Sequence, residues 1–326
     1  MNLQKQEVHS GLTRRKVLVQ IAGFIVGLFL LYLCIRTALS RSDGDWKVIF
    51  DADPGLIAAL VGFGLLSTLI DGFVFWAVLR PSRALDVMQV ESVNMSVALM
   101  NYAPIRLGTI LRVTYHARVD GVPLVTIVAW FVSIMVTTVA CIGSVVLAIL
   151  MSGGEVLPFT LLCGFFILLS GLALWLGANT AFVQRLARGR ERMLGDPRAL
   201  AAGLVGRLLV LASNTARMGF AAAILGIDLG LKNVIILSAA ALMLGFNPLG
   251  RVGWREWTLM MLTPYLAASA FEGDSIESLQ AQLVLIESAG ELLGIIPLGV
   301  LASIWVIPRL VRGRSDGEAA SGGSGD

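Results

Sequence analysis

Arg207, Asn214 and Arg217 stand at i, i+7 and i+10 inside one apolar run, and Gln280, Glu287 and Glu291 at i, i+7 and i+11 inside another. At 3.6 residues per turn each set falls on one helix face. A charge at the centre of a membrane helix costs on the order of 2.5–3.5 kcal/mol on insertion scales, so it pairs with another charge or serves a purpose. Asp71 lies in a third apolar run, and Arg106, Arg112, Arg251, Arg255 and Glu256 lie in two interrupted ones. One reading is structural: Glu287 and Glu291 neutralise Arg207 and Arg217, and Asp71 fixes packing. The other is chemical. Arg106, Arg112, Arg207, Arg217, Arg251 and Arg255 face Asp71, Glu256, Glu287 and Glu291, so six arginines meet four carboxylates. An anion would balance the remainder, and the planar multi-donor guanidinium suits a phosphate. A glycine-rich hairpin tip leading into a helix adds backbone N–H donors.

The elements that must hold these charges are membrane helices. Hydrophobic residues make up 56% of the 326 and charged residues 14%, against about 25% charged in soluble domains. A water-exposed surface cannot be covered with so few charges, whereas a bilayer solvates apolar side chains. Arg14, Arg15 and Lys16 precede an apolar run from Val17 to Leu39. That run exceeds the roughly 7–15 residues of a signal-peptide core, so it is expected to be a first spanning helix. Further spans are expected at 55–79, 122–151, 157–178, 200–225 and 281–307.

Residues 92–116 and 234–270 are apolar but interrupted, the first by Asn94, Asn101, Pro104, Arg106 and Arg112, the second by Asn247, Pro248, Gly250, Arg251, Gly253, Arg255 and Glu256. Irregular backbone at membrane depth is tolerated where it is buried in protein or lines a cavity. Both stretches are therefore expected to be re-entrant helical hairpins. Loop charge agrees. With six spans and two hairpins, the basic segments around Arg14–Lys16, Arg80–Arg83, Arg185–Arg198 and Arg309–Arg314 share one side, while Asp43–Asp53 and Glu272–Glu277 share the other. Basic loops collect on the cytoplasmic side. The hairpins would then enter from opposite faces, as in an inverted repeat with a site near the midplane. The sequence predicts an all-α polytopic membrane protein: a cytoplasmic segment 1–16, a membrane domain 17–310 and a disordered cytoplasmic tail 311–326.

Other chemistry finds little footing. Cys34, Cys141 and Cys163 lie in apolar stretches without ligand spacing, and His9 and His116 are too few for a histidine metal site. No Walker-type phosphate loop is present, and no Ser-His-Asp or Cys-His arrangement can be drawn. Glu287 and Glu291 could act as a general acid/base pair, although charge balance explains them as well. The Arg185–Arg198 loop could bind anionic headgroups or nucleic acid, but is more simply the topology signal. No cofactor, metal or nucleic acid is expected.

Three stretches resemble one family: "NYAPIRLGTILRVTYHARVDGV" (Asn101–Val122), with its Asn, Pro104, Arg106-x-Gly108 and Arg112; "NPLGRVGWREW" (Asn247–Trp257), with Pro248, Gly250, Gly253, Arg255 and Glu256; and "DGFVFWAVLR" (Asp71–Arg80). They are similar to the flippase-like membrane domain of the lysyl-phosphatidylglycerol synthases, from the second span to the last. Leu249 stands where a second glycine is usual, and Arg251 is an added cation. The resemblance implies a multi-pass protein of a prokaryotic cytoplasmic membrane that moves a lipid between leaflets. The aminoacyl-transferase domain of the fused synthases has no counterpart here, so aminoacyl transfer is not expected.

The function expected is translocation of a phospholipid or lipid-linked phosphate headgroup. Arg106, Arg112, Arg251 and Arg255 would hold the phosphate, Arg207, Asn214 and Arg217 would extend the basic path, and Glu287 and Glu291 would tune its charge or carry a coupling proton. Asn101, Pro104, Gly108, Asn247, Pro248, Gly250 and Gly253 would shape the hairpin tips. The alternatives are a lipid-binding scaffold serving a partner enzyme and a membrane-embedded lipid-modifying enzyme. Small residues (Gly164, Ser170, Gly171) permit close helix contacts within one chain or in a homo-oligomer.

Overall fold

The computed structural model describes residues 14–40, 51–103, 107–245, 252–266 and 276–322. Their elements are α1 (Arg14–Ser40), α2 (Pro54–Leu79), α3 (Val87–Met100), α4 (Leu107–Arg118), α5 (Leu124–Met151), α6 (Val156–Ala178), α7 (Ala181–Ala187), α8 (Arg192–Gly195), α9 (Pro197–Ile224), α10 (Gly230–Leu244), α11 (Trp254–Leu266) and α12 (Ile276–Gly322). No strand occurs among the described residues. Six helices are long and apolar enough to cross a membrane: Leu18–Leu39, Pro54–Leu79, Leu124–Met151, Val156–Ala178, Pro197–Ile224 and Glu277–Arg312. They are the six expected spans, with ends displaced by a few residues. The last helix differs most: α12 continues to Gly322, into the stretch read from sequence as a tail.

Helix starts follow from local chemistry. Asp53 caps α2 through Gly55 N at 2.7 Å, and Asp86 caps α3 through Gln89 N at 3.0 Å. Asp196 caps α9 through Arg198 N at 2.8 Å and Ala199 N at 3.1 Å. Pro54 and Pro197 occupy the first helical turn, where a missing N–H costs no hydrogen bond.

Each interrupted region contains two short helices rather than one span. α3 and α4 have 14 and 12 residues, α10 and α11 have 15 and 13. At 1.5 Å per residue each is about 18–23 Å long, short of a hydrocarbon core of about 30 Å. Within each region the two helices pack on one another. The turns that join them, 104–106 and 246–251, lie outside the described residues, and with them Pro104, Arg106, Asn247, Pro248, Gly250 and Arg251.

α2, α9 and α12 form the centre. Between apolar helices in lipid there is little hydrophobic drive, so close approach over small residues supplies the packing. Gly206 of α9 lies under Val74 and Ile70 of α2. Gly64 of α2 meets the Glu291 backbone of α12, where a Cβ would stand 3.1 Å from Cα, and Gly290 and Gly294 of α12 receive Leu60, Val61 and Leu65. Farther along α12, Gly299 receives Leu99 and Met95 of α3. α1 closes the other flank, with Cys34 and Ala38 packed on Met260 and Ala281. α6 lies at the periphery, packed on α5, and buries only Cys163 and Ala178.

Candidate functional site

The buried charges fall into two clusters along α9. Arg207 and Arg217 are ten residues apart, an axial rise of about 15 Å, and each organises one cluster.

At the first, Arg207 Nη1 pairs with Asp71 Oδ1 at 2.5 Å. Arg112 lies beside it, 4% exposed. Its guanidinium carbon stands 3.5 Å from the centre of the Phe75 ring, and Nη2 donates to Asn94 Oδ1. The Asn94 amide is oriented by donating from Nδ2 to Thr68 O at 2.9 Å. No carboxylate among the described residues lies within ion-pairing distance of Arg112, which separates it from the other buried arginines. Burial lowers Arg112 to about 10, so it stays cationic at neutral pH. Glu91 completes the cluster. Both its carboxylate oxygens are buried with no hydrogen-bond partner among the described residues. Burial, then the nearby Asp71 charge, push its acid up to about 8, with Arg112 acting in the opposite sense.

The second cluster is a lattice. Arg217 donates from Nε to Glu287 Oε1 at 2.8 Å, and its Nη2 reaches Glu287 and, at 2.9 Å, Glu291. Arg255 donates from Nη2 to both Glu287 oxygens, at 2.8 and 2.6 Å, and from Nη1 to Ser288 Oγ at 2.9 Å. Ser288 donates to Glu256 Oε1 at 2.9 Å, and Glu256 Oε2 accepts from Gly253 N at 2.7 Å. Among the described residues two arginines thus face three carboxylates, all 1–5% exposed. A buried charge is tolerated only with such pairing. Among the described residues no group of three His, Cys, Asp or Glu side chains is set to hold a metal ion, and these carboxylates face guanidiniums.

Between the clusters lies a cavity of about 160 Å³ whose wall includes Asp71, Asn94, Asn101, Arg112, Asn214 and Glu291. Asp71 and Glu291 are engaged by Arg207 and Arg217. Among the described residues, the charge presented to the cavity without a carboxylate of its own is Arg112. A separate groove of about 430 Å³ runs past Phe73, Trp76, Arg80 and Arg198 at the basic ends of α2 and α9. There Arg80 stacks on Trp76 at 5.1 Å.

Two motif glycines have steric reasons. A Cβ on Gly108 would strike Asn101 Oδ1 and the Val97 carbonyl, so Gly108 lets α4 close on the end of α3. Gly253 has φ +76°, and a Cβ there would strike the Gly27 backbone of α1. Trp254 Nε1 donates to Gly23 O at 2.9 Å, which ties the start of α11 to α1.

Of the pairing the sequence offered, Arg217 does meet Glu287 and Glu291, whereas Arg207 is paired with Asp71 instead; Arg255 shares Glu287 with Arg217. Counting Glu91 raises the carboxylates to five and shrinks the expected cationic excess. Arg106 and Arg251 lie outside the described residues. Sequence reasoning missed Glu91, Ser288 and Gly27. Glu91 as the one charged residue of the stretch Val87–Met100 was a usable signal.

Outside the two clusters, His116 is fully buried, with Nδ1 2.5 Å from Asp120 Oδ2 and its ring edge-on to Trp130. Burial lowers its pKa against the opposing pull of Asp120. Burial also raises Tyr115, with Asp120 in the same sense.

Compared with known proteins, the chain matches no family model, no curated protein and no solved structure.

Proposed function

We propose that this protein carries a phosphate-bearing lipid headgroup across the membrane through the cavity between its two charge clusters. The observation that supports this most directly is Arg112, a buried guanidinium on the cavity wall with no carboxylate of the described residues at ion-pairing distance. A phosphate oxygen is the partner its donors suit. The aromatic, arginine-flanked groove at Phe73, Trp76, Arg80 and Arg198 would take the headgroup from the interface, where amphipathic rings and cations favour it. In this reading the α3/α4 and α10/α11 pairs are re-entrant hairpins that enter from opposite faces as an inverted repeat. Both ends face the cytoplasm, as the basic loops favour, and the membrane is that of a prokaryotic cell, as the resemblance to the flippase-like domain implies. No step needs a cofactor or bond cleavage.

Flipping in reconstituted vesicles tests this. Liposomes carry a trace of fluorescent phosphatidylglycerol, and an impermeant reductant bleaches the outer leaflet. Wild type should let bleaching proceed into the inner-leaflet pool, and Arg112→Gln should not. Wild type indistinguishable from protein-free liposomes with anionic and zwitterionic probes alike would sink the transport reading. A non-transporting lipid-binding scaffold is the second reading. It is favoured by the Arg217–Glu287–Arg255 lattice, which ties α9, α11 and α12 together and resists opening.

A further inference from the structure

Glu91 is a half-buried acid with an enclosed carboxylate that neither the ion-pair lattice nor the proposed headgroup contacts use. Its carboxylate lies against the backbone of Gly72, where a methyl group would overlap it, and next to the Asn94 amide that holds Arg112. Both oxygens are shielded from solvent and accept no hydrogen bond from the described residues. The charges acting on it come from α2, as Asp71, and from α4, as Arg112; Arg207 of α9 reaches the same group through Asp71. On the α12 side Arg309 is stacked on Trp305 at 3.3 Å and acts on Tyr115 rather than on Glu91.

This arrangement makes Glu91 and any anion in the cavity competitors for one cation. With Glu91 ionised, Asp71 and Glu91 together balance Arg207 and Arg112, and the cavity offers an anion no surplus charge. With Glu91 protonated, the cluster carries one net positive charge, centred on Arg112. Glu287 is a poorer proton carrier, because a proton on it must displace hydrogen bonds from both Arg217 and Arg255.

We propose that Glu91 is a proton-binding site linked to Arg112, protonated while a phosphate occupies the cavity and able to ionise when the phosphate leaves. The proposal rests on the headgroup-carrier reading and adds its driving ion: a proton taken from water on one face moves with the phosphate and returns to water, with only the O–H bond of Glu91 made and broken. Linkage requires reciprocity, so phosphate binding raises proton affinity by the same factor by which the proton raises phosphate affinity. An acid displaced to about 8 lets this operate near neutral pH.

The test is infrared difference spectroscopy of the protein in liposomes across pH, with and without a short-chain phosphatidylglycerol whose binding is followed in parallel by calorimetry. Wild type should show the carbonyl band of a protonated carboxylic acid that disappears on raising pH, and Glu91→Gln should lack it. The short-chain lipid should move that titration upward. Above it, lipid affinity should fall by up to about tenfold per pH unit in wild type and stay flat in Glu91→Gln. A band unchanged in Glu91→Gln overturns the proton site whatever the lipid does. A Glu91 band that ignores bound lipid overturns the linkage. If the Glu91 band titrates but no lipid binds at any pH, the headgroup reading and the linkage fall while the proton site stands.

Discussion

Arg217 and Glu287 stand 70 positions apart in the chain, on α9 and α12, and meet at 2.8 Å with both side chains 1% exposed. Glu287 also receives two hydrogen bonds from Arg255 of α11, so one carboxylate joins three helices. Glu291, one turn further along α12, lies 2.9 Å from Arg217 and on the cavity wall.

Removing Glu287 should therefore be far worse than removing Glu291. Glu287→Gln leaves two buried guanidiniums short of a charge, and the loss of one partner of a buried pair costs about 3–5 kcal/mol. Glu291→Gln should cost less than half as much, since Arg217 keeps Glu287. Thermal unfolding in detergent micelles compares the two, and equal losses would refute the hierarchy.

Arg112→Gln should behave in the opposite way. Arg112 has no carboxylate at ion-pairing distance among the described residues, and the nearby Glu91 can take up a proton when the cation is lost, so its replacement strands no fixed counter-charge. The variant should lie within about 1 kcal/mol of wild type in stability while losing at least tenfold in affinity for short-chain phosphatidylglycerol. A variant that unfolds outright would show that Arg112 is structural.

Gly253→Ala meets two obstacles, a backbone at φ +76° and the Gly27 carbonyl of α1. A strained left-handed backbone alone costs on the order of 1–3 kcal/mol. Gly27→Ala strikes the Val252 carbonyl from the other side of the same contact. The double variant should be little worse than the worse single one, because one interface is lost in all three. Additive melting-temperature losses would show that Gly27 and Gly253 act independently.

His116 sets an acid limit on stability. Its folded pKa is lowered by burial, so below the unfolded value of about 6.5 the unfolded chain binds a proton that the folded chain resists. The stability tied to neutral His116 is complete above that value and declines as pH falls through it. Melting temperature should drop between about pH 7 and pH 5 in wild type, and His116→Gln should flatten the drop. An unchanged slope would place the acid sensitivity elsewhere.

The sequence by itself determined the membrane helices and the presence of charge among them. Six apolar runs are each long enough to span, and a bilayer admits only elements that satisfy their own backbone hydrogen bonds. Arg207 and Arg217, or Glu287 and Glu291, were legible as shared faces because helical periodicity is local. The interruptions at Asn101–Arg106 and Asn247–Gly253 marked where a span gives way to two short helices. Only the tertiary structure decided who pairs with whom. Charge counting is indifferent to partner, so it offered Glu287 or Glu291 to Arg207, whereas the packing of α2 along α9 supplies Asp71. It also overlooked Glu91, whose isolation depends on Gly72 of a neighbouring helix leaving room for its carboxylate. Whether a buried charge is satisfied or left available is a property of distances across helices, and a linear sequence fixes those only once the helices have packed.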